Sequence, residues 1–438
     1  MLKKNLTKPN YILVAILLAG LLVRLFLFFH FQNQPKFFYD DDSKGYVQLA
    51  ENLRTGHGFS WDEKAPYEAN SFRTPGYPAF LLTNRALFGD YRFALLAQII
   101  LVVLTAYLIF LLAKEWKTNK LGYWAAAIFL FMPFSIMVSL RYLTQPLFTF
   151  LLTLAVWLWL KHLKNKSIKY FIGAVIILPL LALVRPIAFY LPIVFILSLV
   201  ISFWPNPKEA IKKIAILIAV FFTILSPWLA RNYSLFGKFS LSSITPYQLY
   251  FYDTPAVYAT THKVSYDEAR AFLEKDIKQY LPTDKFEDYM KYKSEDMLNK
   301  RSWHYLLESR LSLLVTRANL FFKFFVRDGI HYWASQCRSC LFLKFPSPIL
   351  SAVPIYLERS ILGILFLGFL AFSWQSLRSK NNAQVFISLV VVYFALLTGA
   401  VASAGLRFPV EPLIILAGLA GWQGALRFFV KSPPKFSK

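Results

Sequence analysis

Three consecutive carboxylates, Asp40, Asp41 and Asp42, follow the first apolar stretch of the chain. An ionised carboxylate can take a proton from a hydroxyl group, which is what a general base does. The interval from Val47 to Arg54 predicts a short amphipathic helix that Gly56 would close. Asp42 would then lie near the helix N-terminus, where backbone N–H groups and the helix dipole favour a negative charge. The pattern therefore predicts Asp42 as a candidate general base; the alternative is a solvated acidic loop.

Several arginines are placed where they could bind an anion. Arg73 stands directly before the rigid sequence Thr-Pro-Gly-Tyr-Pro, and its planar fork of donors suits a phosphate. Arg185, Arg231 and Arg407 lie at the predicted ends of apolar spans. For each of these four, the alternative is that the charge only reaches the lipid headgroups.

The composition decides which elements must position these residues. Of the 438 residues, 57% are hydrophobic and 16% charged, and 43 are Phe. Apolar runs long enough to cross a bilayer recur along the chain, which predicts an all-α polytopic membrane protein. The net charge of +24 lies mainly at the ends of the apolar runs. That distribution indicates membrane topology and contact with lipid headgroups, not a nucleic-acid partner.

The apolar runs predict about ten spans. They lie at residues 11–30, 93–112, 121–140, 146–160, 171–184, 187–204, 214–230, 354–374, 385–404 and 413–428. The N-terminal lysines predict a cytoplasmic N-terminus in a cell inner (plasma) membrane. Lys and Arg are also frequent in the segments that would then be cytoplasmic, which are 114–120, 161–169, 205–213, 375–380 and 427–438.

The predicted alternation of inner and outer segments between the spans divides the chain into three parts. Residues 1–230 form an N-terminal transmembrane module that includes a first outer loop at 31–92. Residues 231–347 form a large outer-face region, and residues 348–438 form the C-terminal transmembrane helices.

Some segments leave alternatives open. Ser265–Lys300 predicts short amphipathic helices, and Ser302–Trp333 predicts a helix lying in the membrane interface, because its four basic residues disfavour a crossing. Cys337 and Cys340 form one Cys-x-x-Cys pair, either a local disulfide or two free thiols. Arg24, inside the first span, either faces the bundle interior or extends to the headgroups.

Three motifs together resemble a known family. The first is Asp42-x-x-x-Tyr46-x-x-x-Ala50 with Gly56-x-Gly58-Phe59 and then Arg73-x-Pro-Gly-Tyr77-Pro. The second is Ser226-Pro-Trp-Leu-Ala-Arg231-Asn-Tyr-Ser-Leu-Phe-Gly-Lys-Phe239, and the third is Arg407-Phe-Pro-Val-Glu-Pro412. In this order they are similar to membrane glycosyltransferases of the GT-C type, nearest family 39, which includes protein O-mannosyltransferases and the aminoarabinose transferase of lipid A.

The resemblance implies a hexosyl or pentosyl transferase with a GT-C helix bundle. Its donor would be a polyprenyl-phosphate sugar, and its acceptor a protein, a lipid or a glycan on the outer face. Asp42 corresponds to the family's catalytic aspartate, with Asp41 beside it. The candidate substrate-binding residues are Asp40, Tyr46, Arg73, Tyr77, Arg185, Arg231 and Arg407. A lipid or lipid-linked sugar flippase is the alternative function.

The sequence departs from the family at Gln145, where the similar segment usually carries an acid. Asp40 and Asp42 also form an Asp-x-Asp pair of the kind that could hold a divalent cation. The enzymes that the sequence resembles do not generally depend on a metal, so no metal ligand is assigned. The Asp-x-Asp pair leaves a divalent cation possible.

Overall fold

The computed structural model describes residues 10–116, 118–283, 285–330, 348–399 and 404–431, and all regular secondary structure in them is helical. In chain order the α-helices are α1 (Tyr11–Phe31), α2 (Asp41–Arg54), α3 (Gly76–Phe88), α4 (Arg92–Glu115), α5 (Asn119–Phe131), α6 (Pro133–Ser139), α7 (Gln145–Asn165), α8 (Ile168–Val184), α9 (Pro192–Ser202), α10 (Pro207–Phe236), α11 (Ile244–Gln248), α12 (Thr254–His262), α13 (Tyr266–Tyr280), α14 (Glu295–Glu308), α15 (Arg310–Val326), α16 (Pro348–Arg378), α17 (Asn382–Leu397), α18 (Ala404–Arg407) and α19 (Glu411–Lys431). Shorter 3-10 and π turns join some of them, at Pro35–Phe38, Pro186–Tyr190, Leu249–Asp253, Phe286–Met290, Tyr292–Ser294 and Phe408–Val410.

Each predicted span coincides with an apolar helical segment. Six segments are long and apolar enough to cross a membrane, namely α1, α4, α7, α10, most of α16 and the stretch from α18 into α19. α5 and α6 together qualify as a seventh, bent by 61°. Three shorter apolar segments are α8, residues 186–202 and α17. By the length and composition of its helices the chain is a multi-pass membrane protein, and the number of about ten crossings stays a prediction.

Arg24 is fully buried in the helix bundle. Its guanidinium donates hydrogen bonds to the carbonyl of Leu130 and to the hydroxyls of Ser135 and Ser139, at 2.9–3.2 Å. These three acceptors flank the break between α5 and α6 at Pro133, where regular helical hydrogen bonding is interrupted. Arg24 therefore faces the interior and joins α1 to that bend.

Two of the last helices, α16 and α19, pack closely against each other through small residues. A Cβ atom on Gly421 of α19 would lie 1.9 Å from the carbonyl oxygen of Gly368 on α16, so the two backbones touch. One cluster of buried apolar residues extends from Val102 on α4 to Ala417 on α19. The C-terminal helices thus share a core with the N-terminal ones, and the division into three parts stays a prediction.

The polar region between α10 and α16 contains the amphipathic helices that the sequence predicts. α13 begins with a capping box formed by Ser265 and Glu268, and it buries Leu273 and Ile277. These apolar side chains join a cluster that also receives Phe72 from the first polar loop, residues 31–92. The two polar regions are therefore packed together by a shared apolar core.

The segment for which one interfacial helix is predicted, residues 302–333, begins in the end of α14 and continues after a break at Ser309 as α15. Leu311 and Leu314 are exposed, whereas Leu320 and Phe324 are buried against neighbouring helices. Its position in the membrane interface stays a prediction. Cys337 and Cys340 lie outside the described residues.

Candidate active site

The Asp triplet forms the start of α2, as the sequence indicates, although the helix begins six residues earlier than predicted. Asp40 is the N-cap residue, and Ser43 completes a capping box because its hydroxyl accepts the Asp40 N–H at 2.8 Å. The helix ends at Thr55, followed by Gly56 with a φ of 82°. This local arrangement fixes where each of the three carboxylates is directed.

The three carboxylates have different surroundings. Asp40 is buried, accepts the N–H of Asp41 at 2.6 Å and pairs with Arg141 at 3.3 Å. The side chain of Asp41 is exposed. Asp42 lies in the first helical turn with 56% of its side chain exposed. Of the three, Asp42 combines access to solvent with a cationic partner.

That partner is Arg73, whose Nη2 lies 2.5 Å from Asp42 Oδ1. Its Nη1 donates to the hydroxyl of Tyr46 at 3.1 Å, and its guanidinium lies 4.7 Å from the centre of the Tyr46 ring. Burial alone would lower the pKa of Arg73, but Tyr46 and Asp42 more than offset this and raise it. Arg73 is thus a fixed cation beside a water-accessible carboxylate.

Two local features place Arg73. The side chain of Asn70 accepts the backbone N–H groups of Phe72 and Arg73 at 3.0 and 2.9 Å, which shapes the turn. At the start of α3, a Cβ atom on Gly76 would lie 2.7 Å from the carbonyl of Leu183 at the end of α8. Only glycine permits this approach, and it brings the turn close to the residue that follows α8.

That following residue is Arg185. Its charge interacts electrostatically with Tyr46, Asp42 and Arg73, so it lies near these residues. Its guanidinium lies 5.8 Å from the ring centre of Phe148 on α7, and its Nη1 is buried without a hydrogen-bond partner. A buried, unsatisfied cationic donor is unusual and fits a site that receives an anionic oxygen.

Two buried tyrosines of the site, Tyr46 and Tyr77, pack against each other. The Tyr46 and Tyr77 rings meet edge to face at 5.1 Å, and the Tyr77 hydroxyl donates to Gln98 at 2.5 Å. Gln98 in turn donates to the carbonyl of Arg141 at 2.7 Å. Burial raises the pKa of both phenols, which keeps them neutral. Tyr46 contacts Arg73, whereas the Tyr77 hydroxyl is already used within the fold.

The structure does not bring Arg231 to Asp42. Its Nη1 donates to the carbonyl of Asn70 at 2.9 Å and to Asn232 at 2.7 Å, and its guanidinium stacks 4.6 Å from the centre of the Trp228 ring. Because Asn70 shapes the turn that carries Arg73, Arg231 acts on the site through this turn.

Arg407 lies in a separate cluster. It is fully buried and pairs with Glu411 at 3.3 Å. Its Nη1 also donates to the backbone carbonyls of Phe324 and Arg327 at the end of α15. Glu358 on α16 accepts the N–H groups of Gly329 and Ile330 in the same region. These contacts join α15, α16 and α19.

Three residues that contact the site were not predicted from the sequence, namely Arg141, Asn70 and Gln98. Arg141 stands four residues before Gln145, and Asn70 precedes the Arg73 motif at the spacing of a side-chain-capped turn. The positions of these two residues could therefore have indicated that they belong to the site. Gln98 lies within an apolar span, and nothing local marks its link between Tyr77 and Arg141.

The Asp-x-Asp pair does not converge on a cation position. Asp40 is directed to Arg141 and Asp42 to Arg73. Across the described ranges, no group of three or more His, Cys, Asp or Glu residues could hold a metal ion.

Comparisons with known proteins agree with this architecture. Residues 73–230 match the sequence profile of dolichyl-phosphate-mannose-protein mannosyltransferases. The match begins at Arg73 and includes Arg185, but it does not include the Asp triplet. No curated protein sequence matches the chain.

Solved structures extend the similarity over nearly the whole chain. The apo oligosaccharyltransferase of Archaeoglobus fulgidus is 14% identical with a TM-score of 0.56, covering 97% of this chain and 52% of that one. The Archaeoglobus fulgidus AglB complex with an inhibitory peptide and dolichol-phosphate is 15% identical with a TM-score of 0.54 and the same coverage. ArnT from Cupriavidus metallidurans bound to undecaprenyl phosphate is 12% identical with a TM-score of 0.42, covering 97% of this chain and 80% of that one.

The two oligosaccharyltransferase structures establish the fold class. The chain has the fold of GT-C membrane glycosyltransferases, which confirms the resemblance and the fold class predicted from the three motifs. The chain spans about half the length of these two structures.

Proposed function

We propose that the protein transfers a sugar from a polyprenyl-phosphate donor to an acceptor hydroxyl on the outer face of the plasma membrane. The observation that carries the proposal is the ion pair of Asp42 with Arg73, together with Arg185, whose charge interacts with both. These residues come from α2, the following loop and the position after α8. The GT-C fold and the mannosyltransferase profile agree with this chemistry.

In the proposed reaction, the acceptor oxygen bonds to the anomeric carbon while the bond from that carbon to the phosphate oxygen breaks. Asp42 takes the hydroxyl proton and later returns it to water, which its exposed side chain permits. The prenyl phosphate leaves as an anion, so no strong general acid is required. Asp41, exposed beside Asp42, is a second proposed acid–base group.

The charges of the site suit this donor. Arg73 and Arg185 carry two positive charges and Asp42 one negative charge, which leaves one positive charge to match a single phosphodiester anion. Binding of the phosphate to Arg73 would compete with Asp42 for the same guanidinium and so release the carboxylate for the acceptor. Tyr46 keeps Arg73 in place during this exchange.

The orientation is also part of the proposal. With a cytoplasmic N-terminus, the first polar loop and residues 231–347 lie outside, and the basic loops lie inside. The acceptor then reaches Asp42 from the outer aqueous side, while the prenyl chain stays in the adjacent leaflet.

A deletion strain complemented with variants tests the proposal. We expect deletion to enrich a polyprenyl-phosphate sugar in the lipids and to remove one glycan modification, both measured by mass spectrometry. The wild-type gene should reverse both changes, whereas Asp42→Asn should leave them, because loss of a general base lowers rates by about 10²–10⁴-fold. Asp296→Asn is the matched control, since this carboxylate is also paired, with Lys238, and 86% exposed.

The outcomes separate the alternatives. Full restoration by Asp42→Asn would show that Asp42 is not the base. A strain in which the glycan is unchanged but a lipid is held in one leaflet would support the flippase instead.

A further inference from the structure

Two side-chain oxygen atoms on α7 are buried without hydrogen-bond partners. The Oε1 atom of Gln145 and the hydroxyl of Thr149 make no hydrogen bond, and Thr149 is fully buried. Residues four apart on a helix lie on the same face. Buried polar groups are normally paired, because leaving one unsatisfied costs free energy. This face of α7 is therefore built to receive polar groups from another molecule.

The same face adjoins the proposed phosphate-binding arginines. Phe148 lies between Gln145 and Thr149 in sequence, three residues from the first, and its ring is beneath Arg185. At the start of α7, Thr144 lies beside the Tyr46 phenol that contacts Arg73. The unpartnered groups of α7 and the arginines thus border one site.

The unpartnered atoms include both hydrogen-bond donors and hydrogen-bond acceptors. Arg185 Nη1 and Arg73 Nε can only donate, so they require acceptor oxygens such as those of a phosphate. Gln145 Oε1 can only accept, so it requires a donor such as a hydroxyl, and Thr149 can do either. A ligand that satisfies all four presents anionic oxygens and hydroxyl groups together.

We propose that Gln145 and Thr149 bind hydroxyl groups of the donor sugar while Arg73 and Arg185 bind its phosphate. The inference rests on the proposed function and assigns the sugar end of the donor to α7. The neutral amide of Gln145 accepts a sugar O–H without placing a second negative charge beside the phosphate.

Binding to the full chain in lipid nanodiscs tests the assignment. The probes are citronellyl phosphate and its mannosyl, glucosyl, galactosyl and aminoarabinosyl esters. We expect wild type to bind at least one ester more tightly than the bare phosphate. Gln145→Ala should weaken that ester by about 5- to 20-fold, as for one lost buried hydrogen bond, and change the affinity for the phosphate less than about twofold.

Two further variants provide the controls. Thr149→Val should weaken only the ester. Thr153→Val, one turn further along the same face, should change neither affinity, because the Thr153 hydroxyl already donates to the Thr149 carbonyl at 2.8 Å.

The results distinguish this inference from the proposed function. If citronellyl phosphate itself does not bind, the proposed function fails. If the phosphate binds but no ester binds more tightly, or if Gln145→Ala affects both probes equally or neither, the sugar assignment alone is overturned.

Discussion

Two acid–arginine pairs in this molecule contain the same chemical groups in opposite surroundings. Asp42 and Arg73 are 2.5 Å apart, with 56% of the carboxylate side chain exposed and 14% of the arginine. Glu411 and Arg407 are 3.3 Å apart, and neither side chain is exposed at all. Both arginines were predicted to bind substrate from similar sequence positions near the ends of spans.

The difference in solvent access separates the pair that we propose to be reactive from a pair that is enclosed in the fold. Asp42 can exchange its proton with water, and Arg73 can exchange the carboxylate for a ligand. Glu411 and Arg407 have no such access, and Arg407 also donates to backbone carbonyls at the end of α15. The contacts of Arg407 thus link the end of α15 to Glu411 on α19, and substrate binding by Arg407 stays a prediction.

The largest expected effect is on the buried pair. Arg407→Met should lower the free energy of unfolding by about 3–5 kcal/mol, because it leaves Glu411 buried without its cation. Thermal unfolding in detergent measures the change. Adding Glu411→Met should recover part of the loss in a double-mutant cycle. A stable Arg407→Met protein that no longer transfers sugar would instead support substrate binding by Arg407.

A substitution in the pair of Asp42 and Arg73 should change the transfer activity and not the stability of the fold. Arg73→Lys should lower kcat/KM by about 10- to 100-fold, since an ammonium lacks the fork that contacts Asp42 and Tyr46 together. Arg92→Lys is the control, because Arg92 pairs with Asp90 at 2.7 Å with 53% of its side chain exposed. Undiminished transfer by Arg73→Lys would mean that any cation suffices there.

Arg231 lies between these extremes. Arg231→Gln should destabilise the fold by about 1–2 kcal/mol through loss of its hydrogen bond to Asn70, and it should lower transfer less than Arg73→Lys. Its affinity for citronellyl phosphate should stay within about twofold of wild type. A tenfold loss of that affinity would restore the sequence-based expectation that Arg231 binds the donor.

The smallest expected effect is on the pH dependence of stability, at the exposed pair of Glu51 and Arg54 on α2. Hydrogen bonds from Arg54 and Tyr91, at 2.6 and 2.9 Å, lower the pKa of Glu51 from 4.5 to about 2. A lowered folded-state pKa adds stability above pH 4.5 that is lost as the pH falls toward 2. Because the pair is exposed, the contribution should be no more than about 1 kcal/mol. Glu51→Gln should flatten this part of a pH–stability profile; an unchanged profile would contradict it.

By itself the sequence determined the features that depend on neighbouring residues. Apolar run length predicted the helical membrane architecture, and residue spacing placed Asp42 near the start of a helix, although the predicted helix began at Val47 and α2 begins at Asp41. The three motifs, at residues 42–78, 226–239 and 407–412, together predicted the GT-C fold. These signals are local, because helix formation and capping depend on residues within a few positions of one another.

Only the tertiary structure decided which residues meet. Asp42 pairs with Arg73 across 31 positions and Asp40 with Arg141 across 101. Arg407 is enclosed by α15 and α19, whereas Arg185 reaches the Asp42 site. Sequence position gave these two arginines the same prediction, since both follow or end near a span. Burial and the set of facing helices then gave them different roles, because packing between distant segments fixes which charges are shielded from water.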